Sequence, residues 1–152
     1  MTKLIRKSVF ETNSSSCHSI SISSDDVVYD GITPASDNKI YLKPMEFGWD
    51  IAEYRDPMSK LTYCWIYVED WTDREQQEFR QILSNVVCQH TGADEIVMEI
   101  DMNRRWWHGK HGYIDHQSVE CNDLHYMFYQ PEYLKNFIFN PNSVLRTDND
   151  NH

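Results

Sequence analysis

Cysteine is sparse and scattered. Cys17, Cys64, Cys88 and Cys121 contain no Cys-x-x-Cys pair, which excludes a zinc clip of ordinary spacing and gives no disulfide framework for a cytosolic chain. They read as buried reduced thiols. Long apolar runs are missing too. None reaches the ~18 residues of a membrane helix, and the opening MTKLIRKSVFE has no apolar stretch of the kind a signal peptide carries. The expectation is a soluble cytoplasmic protein with no membrane partner. Asn13-Ser14-Ser15 matches a glycosylation sequon, but a chain that is not secreted has no use for it. Glycine is scarce, at five residues, and no Gly-x-Ser-x-Gly elbow occurs, which removes the usual serine-nucleophile architecture.

Basic residues are in short supply, 14 against 24 acids, for a net charge of −10. They are also bunched. Lys3, Arg6 and Lys7 precede the first acid, and Arg104, Arg105 and Lys110 lie in a stretch without one, so the rest of the chain carries −16. Such a surface repels nucleic acid and attracts basic partners. The two basic islands can still hold a phosphate.

What is present is enough for a packed core. The chain has 152 residues, 40% of them apolar and 13% aromatic, with no internal repeat and no long linker. That composition excludes a disordered chain and suits a single domain over 1–152. LIRKSVF reads as a first strand. HSISIS alternates Ile20 and Ile22 with serines, the period of a half-buried strand, so the triple serine before it joins two strands. SSDDVVYDGITPASDN reads as a loop, KIYL as a short strand and KPMEFGWD as irregular. Asp56-Pro57 opens a helix with a capping carboxylate and proline at its first position. Met58, Leu61, Trp65 and Val68 then share one face, although LTYCWIYV is also rich in strand formers. Thr72 and Glu75 form a capping box flanked by Trp71 and Gln76. The helix they open carries a stripe of Phe79, Ile82, Leu83, Val86 and Val87 and stops at Gly92. EIVMEIDM alternates as a strand, PEYLKN suits one helical turn, and FIF and VLR flank Asn-Pro-Asn-Ser as a small hairpin. SVECNDLHYMFY fits either element type. The tail 147–152 frays or docks on the domain. Together this is an α+β domain, a mostly antiparallel sheet with two central helices packed on one face.

Two stretches can carry chemistry. In FETNSSSCHSIS, a tight turn with three hydroxyls, Ser14, Ser15 and Ser16, presents a concave set of donors suited to an anion. Asn13 adds an amide, Arg6 and Lys7 add charge, Glu11 can orient a hydroxyl or take a proton, and His18 titrates near neutrality. The plain alternative is a solvated Ser-rich turn. The second stretch, RRWWHGKHGYIDHQSVECNDLH, holds His108, His111, His116 and His125, four of the seven histidines. Arg104, Arg105 and Lys110 interleave with Trp106, Trp107 and Tyr113, which pairs phosphate contacts with stacking faces. Gly109 and Gly112 allow close approach to a ligand. His108, His111, His116, Cys121 and His125 have the atom types of metal ligands but no metal-motif spacing, so no cofactor is assigned and a divalent metal is optional. The plain alternative is an aromatic loop that packs its tryptophans into the core.

RKSVFETNSSSCHS resembles the N-terminal signature of an uncharacterised family of Gram-positive bacterial and phage proteins: a basic residue, Phe-Glu-Thr-Asn-Ser-Ser-Ser, any residue, then His-Ser. The later Asp115-His116-Gln117-Ser118, and Asn149 and Asp150 near the C-terminus, look similar to that family as well. The resemblance implies one site built from Glu11, Asn13, Ser14, Ser15, Ser16, His18, Asp115, His116, Gln117, Ser118, Asn149 and Asp150, in a protein of the bacterial host cytoplasm. Cys17 occupies the variable position and takes no role. The leading expectation is a small phage-type enzyme acting on a phosphate-bearing substrate, a nucleotide or nucleic acid. Asn13 and the serines cradle the anion. His18 and His116 transfer protons, Glu11 or Asp115 orients an imidazole, and Arg104, Arg105, Trp107, Gln117 and Ser118 hold the substrate. The alternative is an acidic phage-encoded binding protein that inhibits a host or defence factor through a basic surface. A virion component is a third option.

Overall fold

Two helices begin and end where their capping residues stand. The computed structural model describes residues 2–6, 16–23, 25–48, 51–69, 71–100, 112–114 and 129–149. Helix α1 spans Pro57–Tyr67; the Asp56 carboxylate accepts the Ser59 N–H at 2.8 Å, and Pro57 lies in the first turn. Helix α2 spans Asp73–Thr91. Thr72 accepts the Glu75 N–H at 3.2 Å, and Gly92 closes the helix at φ 81° with its N–H on the Cys88 carbonyl. The residues flanking the capping box meet through a polar contact: the Gln76 amide donates to the carbonyls of Trp71 and Glu69, both at 2.9 Å.

The strands are β1 (Thr2–Arg6), β2 (Ser16–Ser23), β3 (Lys39–Leu42), β4 (Met45–Phe47), β5 (Ala52–Tyr54), β6 (Glu95–Met98), β7 (Gly112–Ile114) and β8 (Val144–Asn149), and α3 covers Pro131–Phe139. The main sheet is antiparallel, in the order β1-β2-β8-β5. The fold is α+β with a mostly antiparallel sheet, and three helices are described where two were expected. Beside the sheet run two parallel pairs, β3 with β6 and β4 with β7. They follow one another along the chain. Glu99 still bonds to Leu42, at 2.8 Å, and Gly112 pairs with Met45 in the second pair. Residues 43 and 44 separate the two pairs on one side in sequence, and residues 99–111 on the other.

Several sequence expectations are corrected. Within KPMEFGWD, Met45–Phe47 is a strand, and Ala52–Tyr54 adds another. PEYLKN is part of a nine-residue helix that also takes in Phe137, Ile138 and Phe139. The Asn-Pro-Asn-Ser turn therefore joins a helix to a strand and closes no hairpin. Residues 147–149 of the tail complete an inner strand of the sheet, where the ladder offsets the entropy that would fray them. The ambiguous SVECNDLHYMFY lies outside the described residues.

The core lies between the sheet and the helices. Ile20, Phe47, Leu61, Tyr63, Phe79, Leu83, Val87, Leu134, Phe137 and Leu145 are all fully buried. α1 is buried on more sides than its expected stripe. Lys60, Thr62 and Tyr63 are enclosed along with Leu61. Lys60 donates to the carbonyls of Asn140 at 3.0 Å and Ser143 at 2.9 Å and lies over the Phe137 ring. The same turn reaches β2. The Asn140 amide donates to the Ser23 carbonyl and to Asp25, and the Ser23 N–H donates to the Ser143 hydroxyl. α1, β2 and the turn before β8 are thereby tied together by polar contacts inside the fold.

Burial pushes the Lys60 ammonium down from its ordinary 10.5 to about 8, against Asp30 and Asp56, which favour the charge. The unfolded chain therefore keeps this proton to higher pH than the folded one. The stability attributable to Lys60 should rise as pH climbs from about 8 to 10.5, by up to about 3 kcal/mol. Urea unfolding across that window should show wild type gaining on Lys60→Met, which does not titrate; a constant difference would refute the linkage. Gly112 supplies a second test. Its φ is 134°, and a Cβ there would lie 2.4 Å from the Met45 carbonyl oxygen and 2.7 Å from Ile66 Cδ1. Gly112→Ala should cost about 2–4 kcal/mol. Gly92→Ala, with open space around it, should cost about 1 kcal/mol.

Candidate functional site

The β1–β2 pairing brings Arg6 opposite Ser19, so the chain reverses direction between Arg6 and Ser16. The serine run lies in that connection and enters β2 at Ser16, as the alternation of HSISIS implied. On the other side of β2, antiparallel register sets Ser16 opposite Asn149, Cys17 opposite Asp148 and His18 opposite Thr147. Ala52, the first residue of β5, is opposite Thr147 in turn. Ser16, the last of the three serines, and Asn149, the first residue of Asn-Asp-Asn, are cross-strand neighbours at one end of the sheet.

His18 heads the buried row of β2. It is 1% exposed, followed two and four residues later by Ile20 and Ile22, as the pleat requires. Its Nδ1 is 3.1 Å from the Tyr63 hydroxyl of α1, and the two rings are 5.9 Å apart. When the phenol donates, Nδ1 accepts and the imidazole carries its proton on Nε2. The imidazole that the sequence offers as an acid or base is enclosed. It can exchange a proton with a buried neighbour, and Tyr63 is one such neighbour.

Tyr63 also connects this end of the sheet, through Phe47, to β7. Its ring meets Phe47 edge-on at 5.1 Å and 87°. Phe47 is the parallel partner of Ile114, and Asp115 and His116 follow Ile114 directly in sequence. β7 is the described part of the second stretch: the basic aromatic run precedes it in sequence and Asp-His-Gln-Ser follows it.

Of the sequence-predicted residues, His18 is described in full, and Ser16 and Asn149 in backbone. Glu11, Asn13, Ser14, Ser15, Arg104, Arg105, Trp107, Asp115, His116, Gln117, Ser118 and Asp150 lie outside the described residues, as do His108, His111, Cys121 and His125 of the optional metal set. Among the described residues no group of three His, Cys, Asp or Glu side chains gathers to hold a metal. Cys64 is buried, and that burial pushes its thiol well above the ordinary range, so it is no nucleophile in the folded state. A surface concavity of about 610 Å³ runs along α2 past Asp73, Gln76 and Arg80 and shares no residue with the His18 set.

Tyr63 and Lys60 escaped the sequence reading. A signal for both was there: SKLTYCWIYV is apolar nearly all round a helix, the pattern of a helix enclosed on most sides. Its polar members must then find partners inside.

The convergence can be tested by a cross-link. Directly opposed antiparallel residues have Cα atoms about 4.5–5.5 Å apart, within the span of a disulfide. Ser16→Cys with Asn149→Cys, in a Cys17→Ser background, should close a 16–149 bond under mild oxidation, seen by peptide mass mapping. A folded double variant that stays reduced would remove the pairing at this end of the sheet.

Comparison with protein-family models, with curated proteins and with solved structures finds no match to this chain, so the resemblance to the Phe-Glu-Thr-Asn-Ser-Ser-Ser family stands on its motifs.

Proposed function

We propose that the chain is a small phage-type enzyme acting on a phosphate-bearing substrate, a nucleotide or nucleic acid, at the sheet end where β2 begins and β8 finishes. One observation carries the reading. Ser16 and Asn149, from opposite ends of the sequence, are strand neighbours, with His18 just inside them on Tyr63. Residues that meet only through folding, and that share one set of motifs, are better explained by a site than by a solvated turn.

In this proposal Asn13, Ser14, Ser15 and Ser16 cradle the phosphate with hydroxyl, amide and backbone donors. Arg104 and Arg105 add charge, Trp107 supplies a stacking face, and Gln117 and Ser118 complete the polar wall. His116 exchanges a proton with the attacking or leaving oxygen. His18 and Tyr63 supply the buried proton partner, and Glu11 or Asp115 orients an imidazole. Two histidines suffice for phosphodiester cleavage without a metal. Purified protein should cleave a member of a panel of nucleotides, cyclic nucleotides and short oligonucleotides, with and without chelator. His116→Ala should abolish that turnover while the melting profile stays that of wild type. Undiminished activity in a folded His116→Ala would end this mechanism.

A second reading draws on charge. Among the described residues exposed carboxylates outnumber exposed lysines and arginines by twelve to four. That field suits an inhibitor that engages the basic groove of a host or defence factor. Its binding would weaken steeply with salt and survive substitution of His18 or His116, the opposite of the enzymatic pattern.

A further inference from the structure

The Tyr63–His18 bond begins a continuous file of rings. Tyr63 is fully buried, and its ring lies 5.8 Å from that of Tyr67, itself 3% exposed. Tyr67 meets Trp71 edge-on at 6.2 Å and 82°. Trp71 stacks on Tyr129 at 6.2 Å with 8° between planes, and both are only partly buried. Every step lies within the centroid range of interacting aromatic pairs. The file runs from the buried face of β2, along one side of α1, to a surface where Trp71, in the loop before α2, meets Tyr129, two residues before α3.

Tyrosine and tryptophan are the side chains most readily oxidised by one electron, apart from thiols. The neighbouring Cys64 thiol is held protonated by its burial. A buried phenol gives up an electron only if its proton has somewhere to go, because a charged phenol radical in an apolar interior carries a large desolvation cost. Tyr63 has an imidazole nitrogen at hydrogen-bond distance; Tyr67 and Trp71 supply ring-to-ring contact from there outward.

We propose that Tyr63 and His18 form a buried site of reversible one-electron oxidation, reached from the surface through Tyr67, Trp71 and Tyr129. The co-reactant is a one-electron oxidant too large to enter the fold, such as a metal polypyridyl or a peroxidase intermediate. The oxidant takes one electron from Trp71 or Tyr129 and is reduced by one. Tyr63 gives its electron to that vacancy across the packed ring of Tyr67, which stays reduced and keeps its proton. Tyr63 loses its electron, and its phenolic proton moves to His18 Nδ1, leaving a neutral phenoxyl beside an imidazolium. Return of one electron and of that proton restores both. Neither the oxidation nor its readout requires the phosphate chemistry proposed above.

The test is flash oxidation of the full chain by photogenerated ruthenium(III) tris-bipyridine, followed by freeze-trapping and electron paramagnetic resonance. Wild type should give a long-lived neutral tyrosyl radical. Tyr63→Phe should reduce that signal to background, and His18→Asn should shorten its lifetime. Trp71→Phe, a change at a partly exposed ring, should slow its appearance severalfold and keeps the test sound if the core variants unfold. A wild-type radical confined to tryptophan, an unchanged tyrosyl signal in Tyr63→Phe, or formation unaffected by Trp71→Phe would each overturn the assignment.

Discussion

Backbone pairing between β2 and β8 is the constraint on which the candidate site depends. Neither strand holds the candidate residues alone. β2 presents Ser16 and His18, and β8 presents Asn149 and Thr147. The antiparallel register fixes which of these meet. A slip by one residue would turn His18 out of the interior and separate it from Tyr63. The register is held from within by Ile20 and Leu145, opposed and fully buried, and at the far end by the turn that Lys60, Asn140 and Ser143 tie to Ser23. Burial and polar satisfaction therefore select the same alignment.

Much of this was legible where the determinants are local. Caps read correctly, because Asp56, Thr72, Glu75 and Gly92 act on backbone groups within a turn of themselves. β2 read correctly because its alternation is a property of one strand. The partners of a strand are not written in that way. EIVM alternates as it would in either kind of ladder, and its parallel pairing with KIYL depends on the long excursion through both helices between them. Met45–Phe47 and Ala52–Tyr54 were missed because three-residue strands have too few positions to show a period. Asn-Pro-Asn-Ser announced a turn correctly, but a turn does not declare what it joins, and Phe137–Phe139 fits a helix as well as a strand.

The site was legible in part for the same reason. The serine signature and the Asp-His-Gln-Ser segment were visible as clusters, whereas His18 as an enclosed residue was not. His18 looked like a member of a polar loop, yet it precedes Ile20 and Ile22 in the same buried row. Reading the period of HSISIS one step further back would have placed it inside. Lys60 illustrates the complementary difficulty. A lysine in a helix is ordinarily solvated, and two carbonyls from a distant turn help to make its burial tolerable.

The position of β8 also governs the order in which the molecule can be assembled. It is the last of the described strands in chain order, yet it lies between β2 and β5. Until residue 149 has left the ribosome, β5 has no neighbour in this sheet and the hairpin of β1 and β2 shows an open edge on the β2 side. Those unpaired N–H and C=O groups are a template for another nascent chain. The sheet therefore closes late, through contacts of long sequence separation, which make folding slow, and the interval before closure is when this protein would most need a chaperone.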